Sequence, residues 1–240
     1  MRWSASSLKR FCAHPNVLKR EPLPHQQEAI DKGIAFHAAI EDWVRTGVLA
    51  PHADLEIDGW LQLLASQWSP PAGMRCEVAW GLSPSGEHVM VAEPRPHVYT
   101  ALDGQQLLTA GRADACWYPY SGDRILSAVD WKAGAWAVAP AHENLQANAA
   151  GIALAKRFGA RAYVPGIYYA RDGFWDWGEP VELGSLEHAQ RFADVSYAAL
   201  LPETPRPGYH CGGCWSRRDC EAGQRWTIEH DAEATGGQHE

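Results

Sequence analysis

Asp130 and Lys132 are separated by one residue in the run AVDWKAG, within the longer stretch 111–134, GRADACWYPYSGDRILSAVDWKAG. At strand period that stretch is two β-strands joined by a turn at 119–122, the second carrying Ile125, Leu126 and Val129. Side chains alternate faces on a strand, so Asp130 and Lys132 share one face and Trp131 takes the other. Pairing the strands as a hairpin brings Asp114, near the middle of the first, to the same end. Two carboxylates and an amine on one patch suit a hard divalent cation bound through oxygen. Such a cation polarises a phosphate and lowers the pKa of bound water, while the ammonium orients that water or offsets charge on phosphoryl oxygens. Alone, a D-x-K pair is more often a salt bridge on a solvated face. Its weight depends on what accompanies it.

A second constellation lies near the end of the chain. Cys211, Cys214 and Cys220 form C-x2-C-x5-C, with Gly212 and Gly213 letting the backbone curl so that two thiolates face one metal. Three ligands call for a fourth, and Cys12, His14 and the local His210 are the candidates. Four thiolates favour an iron–sulfur cluster, whereas three with a histidine also fit structural zinc. Either would clasp the two chain ends together. Cys76 and Cys116 fall in expected strands and read as buried free thiols.

The elements that must position these groups follow from periodicity. Ser4 to Phe11 reads as a short helix, and about 26–45 as a longer one with Ile30, Ile34 and Ala38 in its buried stripe. Gly33, His37 and Glu41 line up beside that stripe at i, i+4 spacing. On helix position alone His37 is a half-buried histidine bonded to a neighbour, and Gly33 a small residue at a helix contact. Leu55 to Gln67 is a further helix. Arg75 to Gly81 and Glu87 to Ala92 form a strand pair about the turn at 83–86, with Glu77 between apolar neighbours, and 93–106 reads as a loop. After the hairpin come a helix from about His142 to Arg157, a buried strand at 161–169, a partner at 174–180, and a helix at 185–200 capped by Ser185. Helix, strands, helix and strand in this order predict a mixed α/β fold, a mixed sheet flanked by helices.

At 240 residues, 46% hydrophobic and 21% charged, the chain has the material for one globular domain. The expected organisation is a single domain over 1–228, with a core at about 26–200 and a cysteine clasp built from 1–20 and 203–228. The acidic, nearly apolar-free 229–240 reads as a disordered tail. No apolar run approaches the roughly 20 residues that span a bilayer, and the first residues lack the long apolar segment of a secretory signal. A cytoplasmic protein with reduced cysteines is the expectation, and no membrane partner. The net charge of −8 argues against coating nucleic acid by bulk attraction. It leaves room for local basic groups, of which Lys9, Arg10, Lys19 and Arg20 make one and Arg217 with Arg218 another.

Taken together, these features resemble the PD-(D/E)XK nuclease superfamily. They are most similar to its RecB-like exonuclease branch, which takes in CRISPR-associated RecB-like nucleases, AddB nuclease domains and related phage exonucleases. SASSLKRFCAHP resembles the branch's opening S-x-S-x-L…F-x-x-C-P, and GIAFHAAIEDW its G-x-x-x-H helix. GRADA resembles the motif of the metal-binding aspartate, AVDWKAG the D-x-K motif, and the final cysteines the iron–sulfur clasp. Five motifs occur in the family's order over nearly the whole chain.

The resemblance implies a restriction-endonuclease-like core and a metal-dependent deoxyribonuclease, an exonuclease rather than a site-specific endonuclease. His37, Asp114 and Asp130 would hold Mg²⁺ or Mn²⁺, with the Trp131 carbonyl as a further donor. Lys132 would be the catalytic lysine and Glu77 a weaker candidate acid. Gln146 would belong to a substrate-contacting Q-x-x-x-Y helix motif, with Lys9 and Arg10 also on substrate. Cys12 or His14 would join Cys211, Cys214 and Cys220 around a 4Fe-4S cluster, or zinc in its place. Two departures stand out. Ala150 occupies the tyrosine position, so Asn144 and Asn148 form the pair if the register is shifted, and His14 stands where the family has cysteine. DNA is the implied partner, with recombination, replication or CRISPR-adaptation proteins, in the cytoplasm or, for a phage-encoded protein, that of the host. The alternative is a non-catalytic DNA-end-binding or assembly factor that keeps the clasp; a third reading confines all chemistry to the cysteines.

Overall fold

The computed structural model describes residues 24–95, 98–118, 124–134 and 138–200, together with 220, 221, 224, 225, 227 and 228. In chain order the elements are α1 (Pro24–Thr46), α2 (Leu55–Gln67), β1 (Arg75–Leu82), β2 (His88–Val89), β3 (Val91–Arg95), β4 (Val98–Ala101), β5 (Thr109–Trp117) and β6 (Ile125–Lys132). They continue with α3 (Leu145–Phe158), β7 (Ala162–Tyr169), β8 (Phe174–Trp177), β9 (Val181–Glu182) and α4 (Leu186–Leu200). The main sheet runs β2-β1-β5-β6-β7-β8, with β9 also paired to β7. Only β6 and β7 are parallel, joined by a crossover through α3; the neighbouring pairs are antiparallel. The fold is mixed α/β, as the element order predicts. Among the described residues, no helix is long and apolar enough to cross a membrane.

Each face of the sheet has its own core. Trp80, Leu82, Leu126 and Tyr163 pack with Ile152 and Leu154 of α3 and Val195 of α4. On the opposite face Trp117, Val129, Trp131 and Tyr168 meet Phe36, Ile40 and Trp43 of α1 and Ile57, Trp60, Leu61 and Leu64 of α2.

The expected stripe of α1 is corrected. Ile30 and Ile34 are 42% and 64% exposed and Ala38 is exposed, while Phe36 and Ile40 are fully buried. Phe36, Ile40 and Trp43 also recur at helical spacing, and they carry the larger area to remove from water. The Phe36 ring meets Trp60 edge-on at 6.0 Å and lies nearly parallel to Tyr168 at 6.5 Å. Aromatic burial turned the helix, and the aliphatic pair went to the outside. The expected loop at 93–106 is corrected too, because β3 pairs with β4 as a separate ribbon. Its register shifts between Ala92 and Arg95, a stretch containing Pro94, so the missing proline N–H breaks no regular ladder.

Helix α3 begins later than its apolar pattern predicts. The Asn144 side chain accepts from the N–H groups of Gln146 and Ala147, each at 3.0 Å, which sets the first turn at Leu145. Gly159 closes the helix in the left-handed conformation, with φ of 68°. From Ala147 to Ala155 every residue is buried. That run is possible because it is made largely of alanine and glycine, which let the helix lie close on the sheet. A Cβ at Gly151 would stand 2.2 Å from Cδ2 of Tyr163. Gly151→Ala is therefore expected to lower unfolding stability by roughly 1–3 kcal/mol through overpacking, read as a fall in the urea midpoint at constant m-value.

Candidate metal centre

Strand register does most of the positioning. Cys76 pairs with Ala115 and Val78 with Ala113, which sets Glu77 across from Asp114. On the other side of β5 the ladder runs Trp117 to Ser127, Cys116 to Ala128 and Ala115 to Val129, one step short of Asp114 and Asp130. There the strands separate, and the Trp131 N–H donates to Asp114 Oδ2 at 2.7 Å. His37 descends from α1, its Nε2 3.1 Å from the Trp131 carbonyl oxygen. Donation from Nε2 to that carbonyl leaves the Nδ1 lone pair facing the carboxylates. Nδ1 lies 3.8 Å from both Glu77 Oε1 and Asp114 Oδ1.

His37, Glu77 and Asp114 thus offer one imidazole nitrogen and two carboxylate oxygens within 4.8 Å of one another. One nitrogen and two hard oxygens fit Mg²⁺ or Mn²⁺. Of the anticipated ligands, His37 and Asp114 are in this group, and Glu77 stands closer to them than the sequence implied. Asp130 is buried beside it and forms an ion pair with Lys132 on the shared face. The Trp131 carbonyl, expected as a donor to the cation, is instead engaged by His37.

Glu77 has a left-handed backbone, with φ of 52°. For a non-glycine residue inside a strand this costs on the order of 1–3 kcal/mol. Its consequence is visible on both sides. Cys76 packs toward the α1–α2 core and Val78 toward the α3 core, although residues two apart on a regular strand share a face. Ala113 and Ala115 divide in the same way about Asp114. The alternation changes phase in both strands at the level of the two acids.

The electrostatics follow from crowding charges in a half-buried place. Burial, aided by the charge of Asp130, pushes the Asp114 carboxyl up to about 7, against the pull of His37, Lys132 and the Trp131 N–H. Burial also opposes charge on His37, but Asp114, Glu77 and Asp130 outweigh it and raise its pKa. Burial works against the Glu77 carboxylate as well, and His37 and Arg112 hold it below its usual range. The Arg112 guanidinium reaches Glu77 Oε2 at 3.1 Å and also binds Glu93. Sequence reasoning missed Arg112 and Glu93. The arginine inside GRADA was the available sign, but Glu93 lay in a stretch read as loop.

Gln146 sits in the first turn of α3 with its Oε1 buried and no hydrogen-bond partner among the described residues. The alternative pair has structural duties instead. Asn144 caps the helix, and Asn148 donates to the carbonyls of His142 and Asn144 at 3.1 and 2.9 Å while accepting from the Tyr163 hydroxyl at 2.9 Å. Ala150 is buried. Cys116 is a buried free thiol as expected, whereas Cys76 is only half-buried. Burial pushes them up to about 11 and about 12, respectively. Cys220 is buried. Lys9, Arg10, Cys12, His14, His210, Cys211 and Cys214 lie outside the described residues, and with them the helix at 4–11, the rest of the clasp and the acidic tail.

No family model matches the chain, and no curated protein matches it. Among solved structures it is similar to one described as "Crystal structure of SSO0001", at 14% identity and a TM-score of 0.40, over 92% of this chain and 86% of that one. A likeness this loose carries no weight for function.

Cation binding at this site must displace the proton held by Asp114 and any on His37. Mn²⁺ affinity measured by calorimetry is expected to fall about tenfold for each proton displaced per pH unit between pH 7 and 6. Equal affinity at pH 6 and 8 would exclude Asp114 as a ligand. In EDTA the folded chain keeps a proton on Asp114 up to about pH 7 that the unfolded chain releases near 3.8. Stability therefore declines as pH rises through that window, and Asp114→Asn should flatten the decline in urea titrations at pH 5 and 7.5.

Proposed function

We propose that the chain is a divalent-metal-dependent deoxyribonuclease that hydrolyses phosphodiester bonds from DNA ends. The observation that carries this reading is the convergence of His37, Glu77 and Asp114 from three elements, next to the Asp130–Lys132 pair. A structural salt bridge on a solvated face would need none of that company. The sequence resemblance to RecB-like exonucleases points the same way and supplies the preference for ends.

His37, Glu77 and Asp114, with Asp130 beside them, would hold Mg²⁺ or Mn²⁺. Once bound, the cation would polarise the scissile phosphate and make a water a better nucleophile at neutral pH. The protein's own part is positioning and charge. The Trp131 peptide fixes both His37 and Asp114, so two of the donors are held before any ligand arrives. Lys132 is steered by Asp130 and presents its ammonium on the same face. There it donates to a phosphoryl oxygen and offsets the charge that builds as water adds to phosphorus. One P–O ester bond breaks, leaving a phosphate monoester on one fragment and a hydroxyl on the other.

Lys132→Ala is expected to lower kcat on labelled DNA by about 10²–10³-fold, the usual loss for one preorganised donor to a developing anion. Asp130→Ala should abolish digestion, with far-ultraviolet circular dichroism unchanged in both variants. Digestion at the wild-type rate by either variant with Mg²⁺ or Mn²⁺ rules out the assigned site. Linear and circular substrates compared side by side test the requirement for ends.

A further inference from the structure

The carboxyl ends of the two parallel strands carry a feature that metal chemistry does not use. Lys132 of β6 pairs with Tyr169 of β7, and Tyr169 with Phe174 of β8. Directly paired residues project from the same face of a sheet, and neighbouring strands lie about 4.8 Å apart. The catalytic-face row is therefore ammonium, phenol, phenyl, in steps of one strand. The Tyr169 and Phe174 rings are stacked, with centroids 6.1 Å apart and planes 25° from parallel. Tyr169 is half-buried, whereas Phe174 is 57% exposed. Burial and the charges of Asp176 and Asp130 push the Tyr169 phenol up and Lys132 pulls it down, which places the ring within electrostatic reach of the D-x-K pair.

Among the described residues, the tryptophans of the sheet do not compete for this role. Trp117, Trp131 and Trp175 belong to the α1–α2 core, and Trp177 stacks on Trp175 at 4.9 Å on that same side. Trp80 lies on the α3 side and is fully buried. On β6 and β7 the hydrophobic core shared with α3 takes Leu126 and Tyr163, toward the opposite ends of those strands. In open α/β sheets the carboxyl ends of parallel strands are where ligands bind.

We propose that Tyr169 and Phe174 form a stacking platform for a nucleobase next to the scissile phosphate, so that the substrate is a DNA strand whose end is unpaired. This rests on the nuclease reading above and specifies its substrate. A phosphate at Lys132 leaves the adjoining base within one or two strand spacings of the exposed Phe174 ring. A base in a duplex already has both faces stacked and its edge paired, so only an unpaired or frayed end offers a free π-face. Every base has such a face, so the contact favours single strands without selecting sequence.

The test uses the full-length protein and single-stranded oligonucleotides carrying one 2-aminopurine, whose fluorescence is quenched by stacking, moved along the strand with Ca²⁺ in place of Mg²⁺. Quenching is expected at one position near the bound end, lost in Phe174→Ala and in Phe174→Leu and kept in Tyr169→Phe. The leucine variant preserves apolar bulk, so its loss of quenching does not arise from unfolding. Affinity for the strand should fall about tenfold with either Phe174 variant. An abasic residue at the quenched position should erase the difference between wild type and variant. Unchanged quenching in Phe174→Leu, or equal weakening toward normal and abasic strands, overturns the platform. If wild type quenches through Phe174 but cleaves nothing with Mg²⁺ or Mn²⁺, the nuclease reading fails and the platform stands. If wild type cleaves and the Phe174 variants bind and quench like it, the reverse holds.

Discussion

One peptide unit ties the site together. The Trp131 N–H binds Asp114 on β5, and the Trp131 carbonyl takes Nε2 of His37 on α1. Two strands and a helix are joined within a single residue, and the groups so joined are two of the three that converge. A hydrogen bond of this kind contributes about 0.5–1.5 kcal/mol net, and more is lost when its partner stays buried alone. The pin exists because β5 and β6 separate just beyond the Ala115–Val129 pair. Had the ladder continued, the Trp131 N–H would not be free for a side chain.

The pin holds because Trp131 itself cannot move. Its ring packs edge-on against Tyr168 at 6.1 Å and Trp175 at 5.6 Å, on the face opposite Asp130 and Lys132. Trp68 bridges toward Trp43 and Trp117 at 5.9 and 5.8 Å, extending the aromatic layer beneath α1 and α2. The same layer draws Phe36 inward, and His37, one residue on, arrives at its rim above the Trp131 carbonyl. Hydrophobic burial of Phe36 and Trp131 thus sets the polar geometry at the rim of their layer.

The acids gathered there repel one another. The metal-free chain manages this with a proton held on Asp114, with His37 drawn toward its charged form, with Arg112 on Glu77 and Glu93, and with Lys132 on Asp130. The left-handed backbone of Glu77 adds strain. Such an arrangement persists only where the surrounding sheet over-determines it, and a divalent cation bound there would find charge to neutralise and a proton to displace.

Much of the architecture is legible in the residues alone. Alternation marks β5 and β6, and with it the shared face of Asp130 and Lys132. Apolar period and caps delimit α2 from Leu55 to Gln67 and α4 after Ser185, whose hydroxyl takes the His188 N–H at 3.1 Å. These are local properties, settled by neighbours within a turn or a strand pair. Three matters were not local. Which side of α1 is buried depended on whether Ile30 and Ile34 or Phe36, Ile40 and Trp43 had the better partner, and that partner is an aromatic layer assembled from β5, β6, β7, β8 and α2. Whether Glu77 faces Asp114 depended on strand register and on a reversal of side-chain phase that no periodicity announces. The two duties of the Trp131 peptide depended on where two strands separate. The chain by itself determined which groups are candidates for chemistry, since spacing sets faces; only the tertiary structure decided which of them meet, since meeting depends on contacts between residues far apart in sequence.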